Sequence, residues 1–397
     1  MHEQRKAPKT RMLVGELSVL YFSVFLTRIG FGAIVILFPS YVNAGPLVSG
    51  IVLALYPMLE AGSALPVGRY LDRGGRRKPF LIGLFMMAGL TASIGLTSNI
   101  TAIAIAHTVM GLAAATTTIG SLTMITDLTR TSNRGGGMGF FDFANIAGYA
   151  VGALLAGRLE VQFQSNPGYS FMVIGALILV AAVVSSVFLK EPEHPKSAER
   201  NPLNPLHNLD SETKALLPMW LGITTIVGLA FFLPKIFPKG ELFGSSNLGL
   251  LAGAGLVILG VGATGFGRLS DKIGREKVIV IGVVGQLGLL IILALTYPYW
   301  FSNIILLGLF IFLTSALVPS VLAAVGDRVR GEMRGSALGL YSMMLSIGLA
   351  AGNIVRGYIG EFAGVSELFL AGFGVFAISV MLSALISYRV KTRRASP

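Results

Sequence analysis

The chain has 397 residues, of which 53% are hydrophobic and 13% are charged, whereas an average soluble domain has about 25% charged residues. So few charges cannot cover a water-facing surface, which excludes an ordinary soluble globular protein. The lack of cysteine excludes disulfides and thiolate nucleophiles, and the net charge of +12 raises the question of a nucleic-acid partner.

Apolar stretches of about 20 residues recur along the chain, and each is long enough to cross ~30 Å of hydrocarbon. Because backbone polar groups in lipid must be satisfied within their own segment, we predict that these stretches are helices. The predicted spans are residues 14–41, 46–68, 79–98, 100–126, 138–157, 168–189, 215–234, 244–267, 277–297, 300–325, 335–357 and 366–388. The sequence therefore predicts an all-α membrane protein with twelve transmembrane helices.

The cations collect in the loops on one predicted face. These loops hold 26 of the 31 Lys and Arg residues, whereas the other face carries only Arg158, Lys235, Lys239 and Arg356. Short loops rich in Lys and Arg stay cytoplasmic, so we predict that both termini are inside, in the cytoplasmic membrane of a prokaryote. The positive charge thus indicates topology, and we expect no nucleic-acid partner.

A long polar segment, residues 191–213, separates the sixth and seventh predicted spans and contains several prolines. We interpret it as a cytoplasmic linker. The linker divides the chain into an N-terminal six-helix bundle, residues 1–190, and a C-terminal six-helix bundle, residues 214–397.

The two predicted bundles repeat one another. The loop GRYLDRGGRRK, from Gly68, returns as GRLSDKIGREK from Gly267, and DLTRTSNRGGGMG, from Asp127, matches DRVRGEMRGSALG from Asp327. These offsets of 199 and 200 predict two halves of the same topology. Such halves are related by a pseudo-twofold axis along the membrane normal, with a cavity between them.

The loop from Gly68 resembles the signature of the major facilitator superfamily between helices 2 and 3, and the loop from Gly267 resembles its weaker second copy. The resemblance spans the whole chain, because it includes the twelve helices and the 6+6 repeat. It implies a secondary transporter that works by alternating access. The first copy has seven residues at motif positions: Gly68, Asp72, Arg73, Gly75, Arg76, Arg77 and Lys78.

In this superfamily the signature loop is thought to hold the inner gate closed. The cations of the loop would suffice to orient the chain in the membrane. The acid among them indicates a second role, because a carboxylate can stabilise the N-terminus of a neighbouring helix. We therefore predict a gating set from both pairs of loops: Gly68, Asp72, Arg73, Arg76, Arg77, Asp127, Arg134, Asp271, Asp327 and Arg334.

Two further stretches resemble the twelve-helix drug:proton antiporter branch. IGFGAIVILFP, which ends at Pro39, is similar to the helix 1 motif of that branch. HTVMGLAAA is similar to the helix 4 motif, with His107 where the branch has arginine. The helix 5 motif is half present, with Gly148 and Gly152 but no proline after Gly152. This resemblance implies proton-coupled efflux.

Three ionisable side chains lie well inside the predicted spans of the first half, namely Arg28, Glu60 and His107. Such groups cost at least ~2.5 kcal/mol at a helix centre and mark a pathway. Arg28 and Glu60 should differ in depth by about one turn, so they can form either a permanent structural pair or a coupling pair. We predict Glu60 as the proton carrier, because burial and a nearby arginine act on its ionisation in opposite directions. His107 is the second candidate, with helix packing as its alternative role.

By analogy with the superfamily, helices 1, 4, 7 and 10 should face the central cavity, and aromatic side chains would suit an apolar substrate. The predicted substrate contacts are Arg28, Tyr56, Glu60, Thr117, Thr224, Phe231 and Thr314.

The leading interpretation is a proton-coupled antiporter that exports small amphipathic organic compounds. The alternative is a proton-coupled importer of an organic anion bound by Arg28. A transporter-like sensor would need a soluble output domain, and we find no pattern for an enzyme, a nucleotide-binding loop or a metal site. We expect a monomer that needs no cofactor or metal and has a small-molecule substrate, protons and the lipid bilayer as partners.

Overall fold

The computed structural model describes residues 10–42, 44–129, 134–192, 211–230, 245–326 and 334–395. Its helices are α1 (Thr10–Tyr41), α2 (Pro46–Arg73), α3 (Arg77–Ile94), α4 (Ile100–Leu128), α5 (Arg134–Gln162), α6 (Gly168–Phe188), α7 (Ser211–Ala230), α8 (Ser245–Ile273), α9 (Arg275–Leu295), α10 (Ile304–Thr314), α11 (Leu317–Gly326), α12 (Arg334–Phe362) and α13 (Val365–Ala395). Within the described residues, eight helical segments are long and apolar enough to cross a membrane. The predicted all-α membrane fold is confirmed.

The tenth predicted span is interrupted near its middle. Helix α10 ends at Thr314 and α11 begins at Leu317, with two turn residues between them. Pro319 explains the break, because its ring would clash with the carbonyl of Ser315 four residues earlier and it has no N–H to donate. The predicted span over residues 300–325 corresponds to one apolar segment, Ile304–Val321, but the helix within it is interrupted at Ser315 and Ala316.

Helices pack in corresponding ways in the two halves. A Cβ added at Gly152 of α5 would overlap the backbone oxygen of Ile29 in α1. A Cβ added at Gly352 of α12 would overlap the backbone oxygen of Thr225 in α7. Small residues allow this close approach of helices in lipid, where packing replaces the hydrophobic effect. The two glycines are 200 residues apart, which is the offset of the sequence repeat.

Two helix pairs, α2 with α12 and α5 with α8, join the first half to the second. A Cβ added at Gly50 would lie 2.8 Å from the Cα atom of Gly357, so α2 and α12 touch backbone to backbone. Further along the same pair, Met343 packs against a buried apolar cluster of α2 and α4. In the other pair, a Cβ at Gly260 of α8 would lie 2.9 Å from the Ile146 side chain of α5. These contacts place α2 and α5 of the first bundle, and α8 and α12 of the second, at the interface of the two bundles.

The largest buried clusters each lie within one half. The first surrounds Phe38 and Phe171, and the second surrounds Trp220 and Phe376. Most of the predicted linker lies outside the described residues, so its boundaries stay a prediction.

Candidate transport site and gating loops

Arg28 lies on α1 and is held by three side chains of two other helices. Its Nε donates to Oδ1 of Asn145 at 2.6 Å, its Nη1 to the hydroxyl of Tyr149 at 3.3 Å, and its Nη2 to Oγ1 of Thr118 at 3.3 Å. The guanidinium also lies over the Tyr149 ring, 5.7 Å from its centroid. All three acceptors are uncharged, so these hydrogen bonds fix the arginine in position without supplying a counter-charge.

Arg28 borders a cavity inside the first half. The space between atoms there is about 370 Å³ when the open solvent at the entrance is included. Helices α1, α2, α3 and α4 form its wall, and every lining residue belongs to the N-terminal bundle. Tyr56 and Thr117, both predicted substrate contacts, also line it. This cavity therefore lies within one bundle, and the predicted site between the two bundles stays a prediction.

Glu60 lies near the midpoint of α2, fourteen residues after Pro46 and thirteen before Arg73. Only 8% of its surface is exposed. The hydroxyl of Ser346, on α12, lies beside its carboxyl group. The carboxyl group thus sits deep in the protein, where the two halves meet.

Arg28 and Glu60 do not form a direct ion pair in this structure, since no nitrogen–oxygen contact within 4.0 Å joins them, but they lie close enough for each charge to act on the other. Asn145, Tyr149 and Thr118 occupy three of the guanidinium N–H groups instead. The prediction considered depth alone. Two residues at similar depth can point towards different neighbouring helices.

His107 is a packed aromatic ring, with 2% of its surface exposed. It lies between the rings of Phe38 and Tyr56, at centroid distances of 4.5 and 5.2 Å. Neither ring nitrogen makes a hydrogen bond within the described residues, although the Leu53 carbonyl lies close by. These contacts favour the packing role over proton transfer.

Two other predicted substrate contacts, Thr224 and Thr314, do not line this cavity. Thr224 is 1% exposed, its hydroxyl donates to carbonyls of its own helix, and it packs against Gly348 of α12. Thr314 lies at the end of α10 against α9, where a Cβ at Gly285 would come within 2.5 Å of its nitrogen. Phe231 lies outside the described residues.

The first signature loop is tied to α4 by a buried ion pair. Nε of Arg76 forms an ion pair with the carboxylate of Asp127 near the end of α4, and their side chains are only 7% and 14% exposed. Arg76 also donates through Nη1 to the Leu71 carbonyl at 3.3 Å. Two residues of the predicted gating set are thus brought into direct contact.

The same loop is tied to the end of α6. The carboxylate of Glu191 accepts the backbone N–H groups of Arg76 and Arg77, at 2.5 and 2.9 Å, and so caps the N-terminus of α3. A Cβ at Gly75 would lie 3.0 Å from this carboxylate, so glycine leaves room for it. The Arg77 side chain donates back to the Leu189 carbonyl at 2.5 Å. Glu191 thus provides a carboxylate cap for α3, whereas the side chain of Asp72 lies outside the described residues.

In the second signature loop, the described side-chain contacts join residues four and five positions apart in the sequence. Nη1 of Arg275 lies 2.5 Å from Oδ1 of Asp271 and 2.6 Å from the Ser270 hydroxyl. Asp271 is 62% exposed. Gly274, at the turn, has a φ of +98°, which favours glycine.

For several predicted gating residues, the structure describes no side-chain contact. The backbone of Gly68 lies within α2, with open space beside it. Asp327 lies outside the described residues, and the same holds for four side chains: Asp72, Arg73, Arg134 and Arg334.

The position of Arg356 differs from the prediction, which assigned this residue to the outer face of the membrane. It is 0% exposed, and α12 continues six residues beyond it. The predicted span ends at residue 357, so the prediction put Arg356 at the water boundary. The longer helix puts it inside the protein instead.

Sequence reasoning did not single out Asn145 and Tyr149, the α5 partners of Arg28. A signal was present, because an amide inside a predicted span is costly and residues four apart share a helix face. Glu191 and Ser346 had no comparable signal, since each acts on a helix distant in sequence.

Comparison with known proteins agrees with this fold. The profile of the Major Facilitator Superfamily matches residues 19–260 and 220–397. Multidrug resistance protein 2 of Bacillus subtilis (strain 168) is 23% identical over 372 residues, covering 89% of this chain and 91% of that protein. Multidrug resistance protein MdtG of Proteus mirabilis (strain HI4320) is 24% identical over 407 residues, covering 98% and 99%.

A solved structure shares the whole fold. It is that of a bacterial homologue of the human lysosomal transporter Spinster, in an inward-facing and unoccupied conformation. Its TM-score is 0.75 at 14% identity, covering 96% of this chain and 98% of that one. The family matches indicate a multi-pass membrane transporter rather than an enzyme, and they confirm the resemblance found in the signature loop. This chain belongs to the major facilitator superfamily.

Proposed function

We propose that this protein exports small amphipathic organic compounds in exchange for protons, with Glu60 as the proton carrier. The observation that carries the proposal is the position of Glu60, a titratable group at mid-helix that lies beside Ser346 of the opposite half. A rearrangement of α2 against α12 would change the surroundings of this carboxyl group. Protonation and alternating access would thereby be linked.

The relatives support the direction of transport. Both bacterial relatives described above are named as multidrug resistance proteins, which suits export of varied organic compounds. We further propose that both termini face the cytoplasm and that the signature loop from Gly68 gates that side. The ion pair of Arg76 with Asp127 supports this gate, because it links the loop to α4.

The test is transport by Glu60→Gln in liposomes with an imposed pH gradient. We expect the variant to lose gradient-driven flux, because the amide has the shape of the carboxyl group but cannot carry a proton. Binding of the transported compound should remain measurable. Glu60→Asp, which keeps a titratable group one methylene shorter, should retain part of the flux.

Two results would count against this assignment. Wild-type flux by Glu60→Gln would remove Glu60 as the carrier. Accumulation of an organic anion on the same side as protons, rather than in exchange for them, would favour the predicted alternative of an importer that binds its substrate through Arg28.

A further inference from the structure

We propose that water from the outer face reaches the Glu60 carboxyl group between α2 and α12, along a polar stripe on α12. The stripe consists of Ser342, Ser346, Asn353 and Arg356, and water along it is the path of external protons to Glu60. This inference rests on the proposed function, because it gives the proton carrier its access to one side of the membrane. The outer face is the one at which α2 begins and α12 ends.

The first argument is the spacing of the polar stripe. Its members follow one another at intervals of four, seven and three residues, which matches the period of a helix. At 3.6 residues per turn they fall within an arc of about 80° on one side of α12. All four are buried, with 0 to 2% of their surface exposed. Ser346 lies beside the carboxyl group of Glu60, so this side of α12 faces α2.

The second argument is the hydrogen bonding of the stripe. The Ser342 hydroxyl and Oδ1 of Asn353 have no hydrogen-bond partner within the described residues. Other hydroxyl groups in the helices, such as those of Thr123 and Thr225, donate to a carbonyl of their own helix. Buried polar atoms are normally satisfied by protein or by water, and charged side chains such as Arg356 face the protein interior or a water-filled cavity. The stripe therefore offers hydrogen-bonding sites to water.

The third argument comes from the sequence repeat. Three apolar residues of α5 occupy the positions that correspond, at the offset of 200, to the last three members of the stripe: Ile146, Ala153 and Ala156. Ser342 corresponds to Asp142, whose side chain lies outside the described residues. Ile146 packs against α8 of the opposite half, as Ser346 packs against α2. Apolar side chains can thus make this kind of contact between the halves, so packing does not explain the polar stripe of α12.

The route is closed at its outer end in this structure. Beyond Asn353, α2 and α12 touch backbone to backbone at Gly50 and Gly357. The Glu361 carboxylate, at the end of α12, accepts the Leu47 N–H of α2 at 3.2 Å. Water enters only when these helix ends separate. External protons would therefore reach Glu60 in an outward-open conformation and not in this one.

The test uses the lack of cysteine in the chain, because an introduced cysteine is then the sole thiol. Ser346→Cys and Asn353→Cys place a thiol in the stripe, whereas Ile146→Cys and Ala153→Cys place one at the corresponding positions of α5. Membrane-impermeant methanethiosulfonates are added to intact cells for the outer face and to inverted vesicles for the inner face. An anionic and a cationic reagent are both used and the faster rate is compared, because charges near the stripe would repel a reagent of the same sign.

We expect the two stripe cysteines to react from the outer face at least about tenfold faster than the two α5 cysteines, because a thiol in apolar surroundings stays protonated and inert. Adding Asn353→Leu to Ser346→Cys should slow its reaction from the outer face several-fold, since leucine has a similar size but offers water no hydrogen bond. Adding Asn353→Ser should preserve the rate. Labelling of the denatured chains should give one thiol for every variant.

Equal rates in the stripe and at the α5 positions would overturn the proposal, and so would reaction from the inner face alone. An equal loss of rate with Asn353→Leu and Asn353→Ser would attribute the effect to packing and also overturn it. These rates need no transported solute, so they are independent of the Glu60→Gln flux measurement. Wild-type flux by Glu60→Gln would remove the carrier even where the stripe reacts, whereas an unreactive stripe would remove this route and leave Glu60 as the carrier.

Discussion

The two copies of the signature loop share a sequence pattern but differ in their surroundings. In the first copy, Gly68–Lys78, Arg76 is buried and reaches α4, and the following helix is capped by Glu191 from the end of α6. In the second copy, Gly267–Lys277, Arg275 binds Asp271 one helical turn away, and that carboxylate is largely exposed. Among the described residues, the corresponding arginines therefore have different kinds of carboxylate partner.

This difference shows what a repeated motif does and does not specify. The repeat specifies where a charged turn joins two helices. It does not specify whether the arginine of that turn is buried against a distant helix. Burial decides the energy, because an exposed pair contributes about 0 to 1 kcal/mol, whereas breaking a buried pair costs about 3 to 5 kcal/mol.

The largest expected effect is that of Arg76→Ala. We expect it to lower the free energy of unfolding by about 3 to 5 kcal/mol, because it removes the guanidinium from the buried carboxylate of Asp127. Arg275→Ala, the matched change in the second copy, should cost less than about 1 kcal/mol. Chemical unfolding of the purified proteins in one detergent gives both values. Equal losses would show that the two copies are energetically alike.

A double variant, Arg76→Met with Asp127→Leu, should recover most of the stability lost in Arg76→Ala. Apolar side chains of similar size can replace a buried ion pair at little cost, whereas a single buried charge cannot be left alone. The comparison of unfolding free energies between single and double variants measures this recovery. Transport by the double variant should stay impaired if the pair also serves the gate. A double variant less stable than Arg76→Ala would contradict the ion-pair explanation.

Loss of the α3 cap should have an intermediate effect. We expect Glu191→Ala to cost about 1 kcal/mol, as for other lost N-terminal caps, because the amides of Arg76 and Arg77 lose their acceptor. Glu191→Gln keeps an acceptor oxygen and should cost less. Hydrogen exchange of these two amides, followed by mass spectrometry of the loop peptide, should rise in Glu191→Ala. Unchanged exchange would mean that other contacts hold the first turn of α3.

The smallest expected effect is at the contact of the second copy with the last helix, where Lys391 of α13 lies 3.4 Å from Glu276. Both side chains are mostly exposed, so Lys391→Ala should change the free energy of unfolding by less than about 0.5 kcal/mol. Any effect should vanish in 1 M salt, where the Debye length is about 3 Å. Unfolding at low and high salt checks this. A large effect that persists in salt would show that the second copy is bound more firmly than its exposure suggests.

Sequence alone determined the helices, the repeat and the charged turns of this protein. Hydropathy decides these features locally, since about 20 apolar residues must form a helix in lipid wherever they occur. The same local reasoning found Arg28 and Glu60, because a charge inside an apolar segment stands out without any knowledge of its neighbours. It could also have found the break at Ser315, since the proline four residues later is visible in the sequence.

Only the tertiary structure decided which groups these charges meet. Arg28 donates to Asn145 and makes no direct ion pair with Glu60 within the described residues, and Glu191, just after α6, caps α3. Depth along a helix can be counted from the sequence, but the rotation of each helix about its axis cannot. That rotation is set by close helix contacts such as the one at Gly152, and it determines which side chains come within hydrogen-bonding distance.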